Sequence, residues 1–383
     1  MKTKSYYFNQ LVNNYDKKRI PLSSTERAKR KGEYRYFGAQ GVIDYIDEYI
    51  FDGEYLLIAE DGENLKSHKQ SIAQLVTGKF WVNNHAHIVQ GNELCSTRYL
   101  YYLINSLDIS CYITGSAQPK LSQANLNKIC LAIPSHKNQN KIVSFLGALD
   151  EKIEINRIIN ENLEKQIESI LIAFISEKET IHVKLGDYLY IKGRIGWKGL
   201  KKNEYLPCSN YRIINGESLT TSGIDWNKAG YITEERYEES PEIMLNVGDI
   251  LLSKDGTIGK IGYVDSLELP TSVASGIFVI RNNKPAIIST TFIYFLLRSN
   301  LFNNFIIART EGSVIPHLYQ KDFMEFEFPL PYPNKMNEFE AITVPMFSQI
   351  IENLNENKTL STLRDVLLPK LISGELDVSN LSL

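Results

Sequence analysis

Residues Gln139 to Lys178 read QNKIVSFLGALDEKIEINRIINENLEKQIESILIAFISEK. Apolar side chains recur at alternating steps of three and four, at Ile142, Leu146, Leu149, Ile153, Leu163, Ile167, Ile170 and Phe174. Asn156 and Asn160 occupy the two positions between. A stripe of this kind is the seam of a helix that pairs with another helix. At 1.5 Å per residue the stretch reaches roughly 60 Å, longer than a typical domain is wide.

The partner lies in the same chain. A shift of 197 residues places Phe339 on Ile142, Met346 on Leu149, Ile350 on Ile153, Asn353 on Asn156, Asn357 on Asn160, Leu360 on Leu163 and Leu367 on Ile170. A buried Asn in a seam fixes register at some cost in stability, so two matched Asn positions predict two helices with one specific alignment. Each helix follows a similar block of sequence, which makes the chain an internal duplication.

The upstream blocks agree in order. Gly53 to Gly62, with Leu56-Leu57 and Asp61-Gly62, is echoed by Gly248 to Gly256, with Leu251-Leu252 and Asp255-Gly256. Tyr99 to Leu103 is echoed by Phe292 to Leu296. The loop Gly115-Ser116-Ala117-Gln118-Pro119-Lys120-Leu121 returns as Gly312-Ser313-Val314-Ile315-Pro316-His317-Leu318, again 197 residues on. Strand signals fall at Tyr34 to Phe37, Val42 to Ile50, Tyr55 to Ala59, Phe80 to Val82, His87 to Val89 and a strand ending at Pro134, with a short helix over Thr97 to Ser106. Ser122 reads as the N-cap of one further helical turn. The middle parts, such as Lys17 to Lys31 against Gly193 to Asn203, do not match. The resulting division is a strand-rich domain over 1–135, a helix over 136–180, a second strand-rich domain over 181–334 and a second helix over 335–383.

At 383 residues with 43% hydrophobic content the chain carries enough apolar mass for two or three cores. Its apolar runs stop short of the roughly 18 residues of a membrane span, and the start MKTKSYYFNQ has no signal-peptide core, so a cytoplasmic protein is expected. Cys95, Cys111, Cys130 and Cys208 lack paired spacing and read as reduced core residues, not a zinc site or a disulfide framework. Net charge is -3, but Lys17, Lys18, Arg19, Arg27, Lys29, Arg30 and Lys31 form one basic stretch, and Lys192, Arg194, Lys198, Lys201 and Lys202 another. Local basic patches are what phosphate meets.

Catalytic patterns are missing from the sequence. There is no GxGxxG after a strand, no P-loop and no Asn-Pro-Pro-aromatic or Asp-Pro-Pro-aromatic methyltransferase motif. His85-x-His87 lacks a third ligand nearby, so no metal site is expected. Asp150-Glu151-Lys152 falls between seam residues and reads as a solvated helix face. Ser116 and Ser313 have no GxSxG elbow around them. The remaining chemistry is recognition: Lys and Arg on phosphate or guanine, Asn and Gln on adenine, Ser and Thr on either. Candidate DNA contacts are Lys17, Lys18, Arg19, Lys79, Asn83, Asn84, Gln118 and Lys120 in the first copy. In the second they are Lys192, Arg194, Trp197, Lys198, Lys254, Thr257, Lys260 and His317.

At this point the chain resembles the DNA-specificity (S) subunit of type I restriction-modification systems over nearly its whole length. The resemblance rests on Val183-Lys184-Leu185-Gly186-Asp187, on Val247-Gly248-Asp249-Ile250-Leu251-Leu252-Ser253-Lys254-Asp255-Gly256, on the two Gly-Ser loops, and on Leu367-Leu368-Pro369-Lys370-Leu371-Ile372-Ser373-Gly374-Glu375. It implies an α+β fold: two mixed, strand-rich target-recognition domains separated by two long antiparallel coiled-coil helices, with pseudo-two-fold duplication. It also implies a bipartite double-stranded DNA target, two modification subunits that methylate adenine with S-adenosylmethionine, and restriction subunits that translocate and cleave. No cofactor is expected in this chain, nor any membrane contact. Two features depart from the pattern: the first copy has no Leu-Gly-Asp opening, and Pro345 is expected to begin or kink the second helix. A specificity subunit whose partner fuses methylation with cleavage, or a structural coiled-coil adaptor, are the competing readings.

Overall fold

A computed structural model describes residues 1–67, 71–115, 118–177, 180–195, 198–310 and 317–379. The chain divides into two compact units. One comprises Met1–Ile155 with Glu356–Leu383, the other Asn156–Asn355. Each unit therefore holds one strand-rich block and one half of each long helix.

In the first unit the strands are β1 (Thr3–Tyr7), β2 (Val12–Asn14), β3 (Lys31–Gly38), β4 (Gly41–Ile46), β5 (Phe51–Ala59), β6 (Ala73–Val82), β7 (Ala86–Gly91) and β8 (Cys130–Pro134). Six of them form one sheet in the order β2-β7-β5-β6-β3-β4, and β1 pairs with β8. The helices are α1 (Ser24–Lys29), α2 (Asn64–Ser67), α3 (Thr97–Ser106), α4 (Gln123–Leu126) and α5 (His136–Ile175). Ser96 caps α3 and Ser122 caps α4 through their side-chain oxygens. Leu56, Ile58 and Val89 from the sheet, Tyr99 and Leu103 from α3, and Ile142 and Leu146 from α5 share one core. Leu371 and Val378 of the C-terminal segment complete it. Here the Met1 ammonium lies 3.1 Å from Asp377.

The second unit contains β9 (Thr180–Lys184), β10 (Leu189–Gly193), β11 (Tyr211–Ile214), β12 (Leu219–Thr220), β13 (Gly223–Ile224), β14 (Gly230–Ile232), β15 (Ile250–Ser253), β16 (Ile261–Tyr263), β17 (Thr271–Val273), β18 (Ile277–Asn282) and β19 (Glu327–Pro331). Its helices are α6 (Glu234–Glu238), α7 (Thr290–Arg298), α8 (Asn300–Thr310), α9 (Gln320–Met324) and α10 (Pro333–Ser373). The four-stranded sheet β10-β18-β15-β16 repeats the β2-β7-β5-β6 order of the first unit, and β9 pairs with β19 as β1 pairs with β8. The outer strands differ: β14-β11-β17 form a separate sheet where β3 and β4 continue the first. Ile167 and Leu171 of α5 and Phe339 and Ile350 of α10 close the core over Leu252, Phe278, Phe292 and Phe328.

Several expectations from sequence are revised. The first helix spans His136–Ile175, a few residues earlier than its stripe suggested. Pro345 does not begin the second helix, which starts at Pro333 and runs on through it to Ser373. The ring of Pro333 suits a first helical position, where no N–H is needed. The strand expected to reach Ile50 stops at Ile46. Of the four cysteines, all free, only Cys95 is buried; Cys111, Cys130 and Cys208 are exposed. The missing Leu-Gly-Asp opening is replaced by Phe8-Asn9-Gln10. Phe8 N–H donates to the Ile129 carbonyl at 2.9 Å, as Leu185 N–H donates to Phe326 at 2.9 Å, and both side chains are fully buried.

Along the helix pair, Ile142, Leu146, Asn156, Asn160, Ile167, Ile350 and Asn353 are buried. Leu149, Ile153, Leu163, Ile170, Met346, Asn357, Leu360 and Leu367 are half-buried. In the first unit Asn357 Nδ2 donates to the Ile153 carbonyl at 3.2 Å, and in the second Asn160 Nδ2 donates to Ile350 at 3.1 Å. These are one bond made twice, since 350 minus 153 and 357 minus 160 are both 197. Asp150 is not a merely solvated position. It accepts from Tyr102 Oη at 2.6 Å and from Arg364 Nη1 at 2.9 Å. Burial and this carboxylate push the Tyr102 phenol well above its ordinary value, so it stays a donor.

Candidate nucleic-acid interface

Both units carry the same backbone clasp at the end of a central strand. In the first, β5 runs into Glu60-Asp61-Gly62, and Leu121 N–H donates to the Glu60 carbonyl at 2.8 Å. In the second, β15 runs into Lys254-Asp255-Gly256, and Leu318 N–H donates to Lys254 at 3.0 Å. Asp61 bridges Lys120, and Asp255 bridges His317. The turn needs a left-handed residue, and Gly62 (φ 118°) and Gly256 (φ 67°) supply it without a Cβ penalty. Leu121 and Leu318 are thereby pinned beside the Asp-Gly turn. Ser116 and most of the second Gly-Ser loop, including Ser313, lie outside the described residues.

The side chains on this shared frame differ. In the first unit Lys120 pairs with Glu60 at 3.3 Å, and His85 Nδ1 lies 2.6 Å from Asp61. In the second unit His317 bonds Asp255 directly and its ring packs on Tyr319, while Lys254 lies 3.3 Å from Asp255. Ser253 Oγ donates to the Thr257 carbonyl at 2.7 Å and accepts from Lys260 N–H at 2.9 Å, which fixes the turn bearing Thr257 and Lys260. Lys260 Nζ in turn donates to the Gly216 carbonyl at 3.0 Å.

The candidate contacts separate into exposed and structural groups. Lys17, Lys18, Lys79, Asn84, Gln118, Lys120, Lys192 and Thr257 are exposed, and Lys254, Lys260 and His317 half-exposed. Lys18 lies over the Tyr15 ring and Lys192 over Tyr190, at 5.3 and 5.8 Å. Asn83 is buried, its side-chain oxygen accepting from the His85 amide at 2.8 Å. Arg19 is committed to Glu60 at 3.0 Å, the Ala86 carbonyl at 2.8 Å and the Asp16 carboxylate at 3.6 Å. Arg194 is 3% exposed and bonds the Val273 carbonyl at 3.2 Å. Burial and the neighbouring Arg236 charge pull its guanidinium below the ordinary arginine value. Arg19, Arg194 and Asn83 thus shape the loops and do not reach outward. Lys198 is half-buried and donates to the Glu239 carbonyl at 2.7 Å. Trp197 lies outside the described residues.

The two histidines of His85-x-His87 have separate roles. His87 is buried, with Nδ1 2.7 Å from Asp16 and Nε2 2.9 Å from the Leu121 carbonyl. Both neighbours are hydrogen-bond acceptors, so the ring is held from both of its nitrogens. Burial works against the Asp16 carboxylate. Hydrogen bonds from His87 and the Ile88 amide, with the charges of His87 and Arg19, outweigh it and hold the carboxyl below the usual aspartate range. This buried cluster ties β7 to Leu121, the clasp residue. Among the described residues no group of three or more His, Cys, Asp or Glu is arranged to hold a metal, and no helix is long and apolar enough to cross a membrane.

Two features escaped the sequence reading. Tyr34 and Tyr49 pack at 5.1 Å with Lys79 4.6 Å from the Tyr49 ring, and Ile43 and Tyr45 of β4 are exposed. A hydrogen bond with Tyr49 and its nearby charge raise the Lys79 ammonium further above its ordinary value, so it is charged at any working pH. Cations interleaved with aromatic rings suit a nucleic-acid surface. In the second unit Arg236 of α6 donates to the Lys198 carbonyl at 3.0 Å, and its Nε lies 3.0 Å from Glu204. It laces the basic loop to a helix, a link between segments nearly forty residues apart that no local pattern announces.

Two loop-varied, basic and aromatic surfaces on a duplicated frame define a sequence-reading nucleic-acid-binding protein. The profile described as "Type I restriction modification DNA specificity domain" matches residues 5–165 and again 178–361, and the chain belongs to that family. It is similar to the putative type I restriction enzyme specificity subunit S.HindORF215P of Haemophilus influenzae, with 26% identity over 92% of this chain and 89% of the relative. The type I restriction enzyme MjaIX specificity subunit of Methanocaldococcus jannaschii is 26% identical over 74% of this chain and 70% of its own. The fold is shared with the crystal structure of the type I restriction-modification S subunit from M. genitalium. That match has a TM-score of 0.59 at 17% identity and covers 97% of this chain and 96% of the other. The chain is a DNA-recognition subunit and not an enzyme; the catalytic activities of the system sit in partner subunits.

Proposed function

We propose that each unit reads one half of a bipartite double-stranded DNA target, and that the helix pair sets the gap between the halves. The observation that carries this reading is the repeated clasp: one backbone arrangement presents Glu60, Lys120 and His85 in one unit and Lys254, Asp255 and His317 in the other. A frame made twice with unlike side chains suits two readers of unlike sequences. Lysines position the backbone of DNA, and the loop side chains discriminate bases.

Two modification subunits dock on the outer faces of the helices, where Ile155, Ile158, Leu363 and Val366 are exposed. These partners bind S-adenosylmethionine and methylate adenine, and restriction subunits join them for translocation and cleavage. The test is co-expression with the neighbouring modification subunit, followed by sequencing of methylated adenines in host DNA. Two short blocks around a fixed unspecified gap are expected. A continuous motif, or none, would overturn the two-reader mechanism.

A further inference from the structure

In each unit the carboxylate of the Asp-Gly turn holds one imidazole, and the two imidazoles come from different positions of the repeat. In the first unit His85, in the turn between β6 and β7, donates from Nδ1 to Asp61 at 2.6 Å. In the second, His317 meets Asp255 through its own Nδ1. The backbone shows which positions correspond. Glu60 N–H donates to the His85 carbonyl at 2.9 Å, and Lys254 N–H donates to the Gly276 carbonyl at 2.9 Å, so Gly276 stands where His85 stands. A Cβ on Gly276 would lie 3.5 Å from the Asp255 Cβ and 3.6 Å from its Oδ2, so this position faces the carboxylate in the second unit as well. His317 in turn takes the place of Lys120, 197 residues earlier, whose side chain pairs with Glu60 at 3.3 Å.

The two exchanges compensate each other. The first unit has His at one position and Lys at the other; the second has Gly at the first and His at the second. Both bring one imidazole to one carboxylate. Charge balance alone does not ask for a histidine there, because Lys254 already lies 3.3 Å from Asp255.

A carboxylate only accepts, so the hydrogen of each ring sits on Nδ1, and the neutral ring carries its lone pair on Nε2. The His85 side chain is 51% exposed and that of His317 32%. Neither Nε2 has a hydrogen-bond partner among the described residues. A phosphate contact needs only a charge, which the exposed Lys120 and Lys192 supply in the two units. An imidazole fixed in one tautomer offers something else, a single aimed acceptor. The donors it can meet in the major groove are the amino groups of cytosine N4 and adenine N6.

Resting on the two-reader function above, we propose that His85 and His317 each read one base of their half-site, Nε2 accepting from the exocyclic amino group of a cytosine or an adenine. Asp61 and Asp255 are positioning residues: they fix the tautomer and the aim of the ring and do not touch DNA. The two readers share this one device and deliver it from two different segments, which lets the loops around it differ.

The test uses the full chain assembled with its modification subunit, with methylated adenines sequenced in host DNA and affinities measured by competition between duplexes. His85→Ala should lose about fivefold or more of the discrimination at one base pair of one half-site, and His317→Ala the same at one base pair of the other, with the gap unchanged. Asp61→Asn, whose side-chain oxygen still accepts from Nδ1, should keep that discrimination, and Asp61→Ala should lose it. Histidine 15N spectra of the full chain, sparse because it has six histidines, should show the His85 hydrogen on Nδ1 in the wild-type chain and in Asp61→Asn, and a move toward Nε2 in Asp61→Ala. Removing the amino group from the DNA, with purine for adenine or 2-pyrimidinone for cytosine, should weaken the wild-type complex about fivefold or more at the same base pair. If no position of a half-site responds to that removal, the proposal is overturned even where a protein variant fails to fold. A uniform loss of affinity with a lower salt slope also overturns it, by assigning the rings to phosphate, as does a lowered thermal midpoint with every motif position intact. A split motif that both histidine variants leave unchanged sinks this inference alone, whereas a continuous motif from the wild-type complex sinks the two-reader function beneath it.

Discussion

Asn353 Nδ2 donates to Asn160 Oδ1 at 2.7 Å inside the seam of the two long helices, both side chains being buried. An apolar neighbour could slide by a heptad with little loss; this pair cannot, because a slip leaves two buried amides without partners. Asn160→Ala should lower the stability of the chain by about 1–3 kcal/mol, read as a lower thermal midpoint. Replacing both residues with Leu should restore stability or raise it, yet blur the gap in the methylated motif. A double variant with an unblurred gap would deny the pair its register role.

Inserting seven residues into α5 next to Asn160, with seven matched in α10, keeps the stripe in phase because a heptad is two turns of the seam. The methylated motif should keep both half-sites and change its gap. Altered half-sites would remove the helices from the role of ruler.

Lys17 and Arg19 are two residues apart and should behave oppositely. Lys17→Ala should weaken binding to all sequences alike and reduce the slope of log K against log salt by about 0.9. Arg19→Ala should act on folding, because it leaves Asp16 and Glu60 as a buried and a half-buried carboxylate short of a cation. Salt titrations and thermal melts of the two variants separate these effects, and a changed salt slope with an unchanged melt for Arg19→Ala would refute the structural assignment.

The Asp16–His87 contact gives the first unit an acid limit. The folded Asp16 carboxyl is held below the unfolded value of about 3.9. Its contribution is therefore complete above that pH and is lost as pH falls through the lower folded value. Asp16→Asn should destabilise the chain at neutral pH and flatten the decline of the thermal midpoint below about pH 4. Parallel declines in the two proteins would assign the acid sensitivity to other groups.

Arg236 holds the Lys198 carbonyl at 3.0 Å and lies 3.0 Å from Glu204. Arg236→Met should degrade sequence discrimination in one half-site and leave the other half-site and the gap intact. Equal loss in both halves, seen by sequencing methylated DNA, would show a general folding defect instead.

The sequence by itself determined the duplication, the two helices, their seam residues and the order of the repeated strands. These follow from periodicity and spacing, which are local properties of the chain. It also marked the Asp-Gly turns and the Ser122 cap, where one residue type answers one backbone demand. Tertiary structure alone decided which charges face outward. Lys17 and Arg19 are alike in sequence, but Arg19 is consumed by Asp16 and Glu60, the latter forty-one residues away. Arg194 is buried under strands from a later segment, and Phe8 takes the place of Leu185 with no shared motif beyond an apolar side chain. The imidazole held on each Asp-Gly turn is likewise invisible in one dimension. A turn's own residues fix its backbone, whereas the side chain that meets its carboxylate depends on which distant segment folds against it.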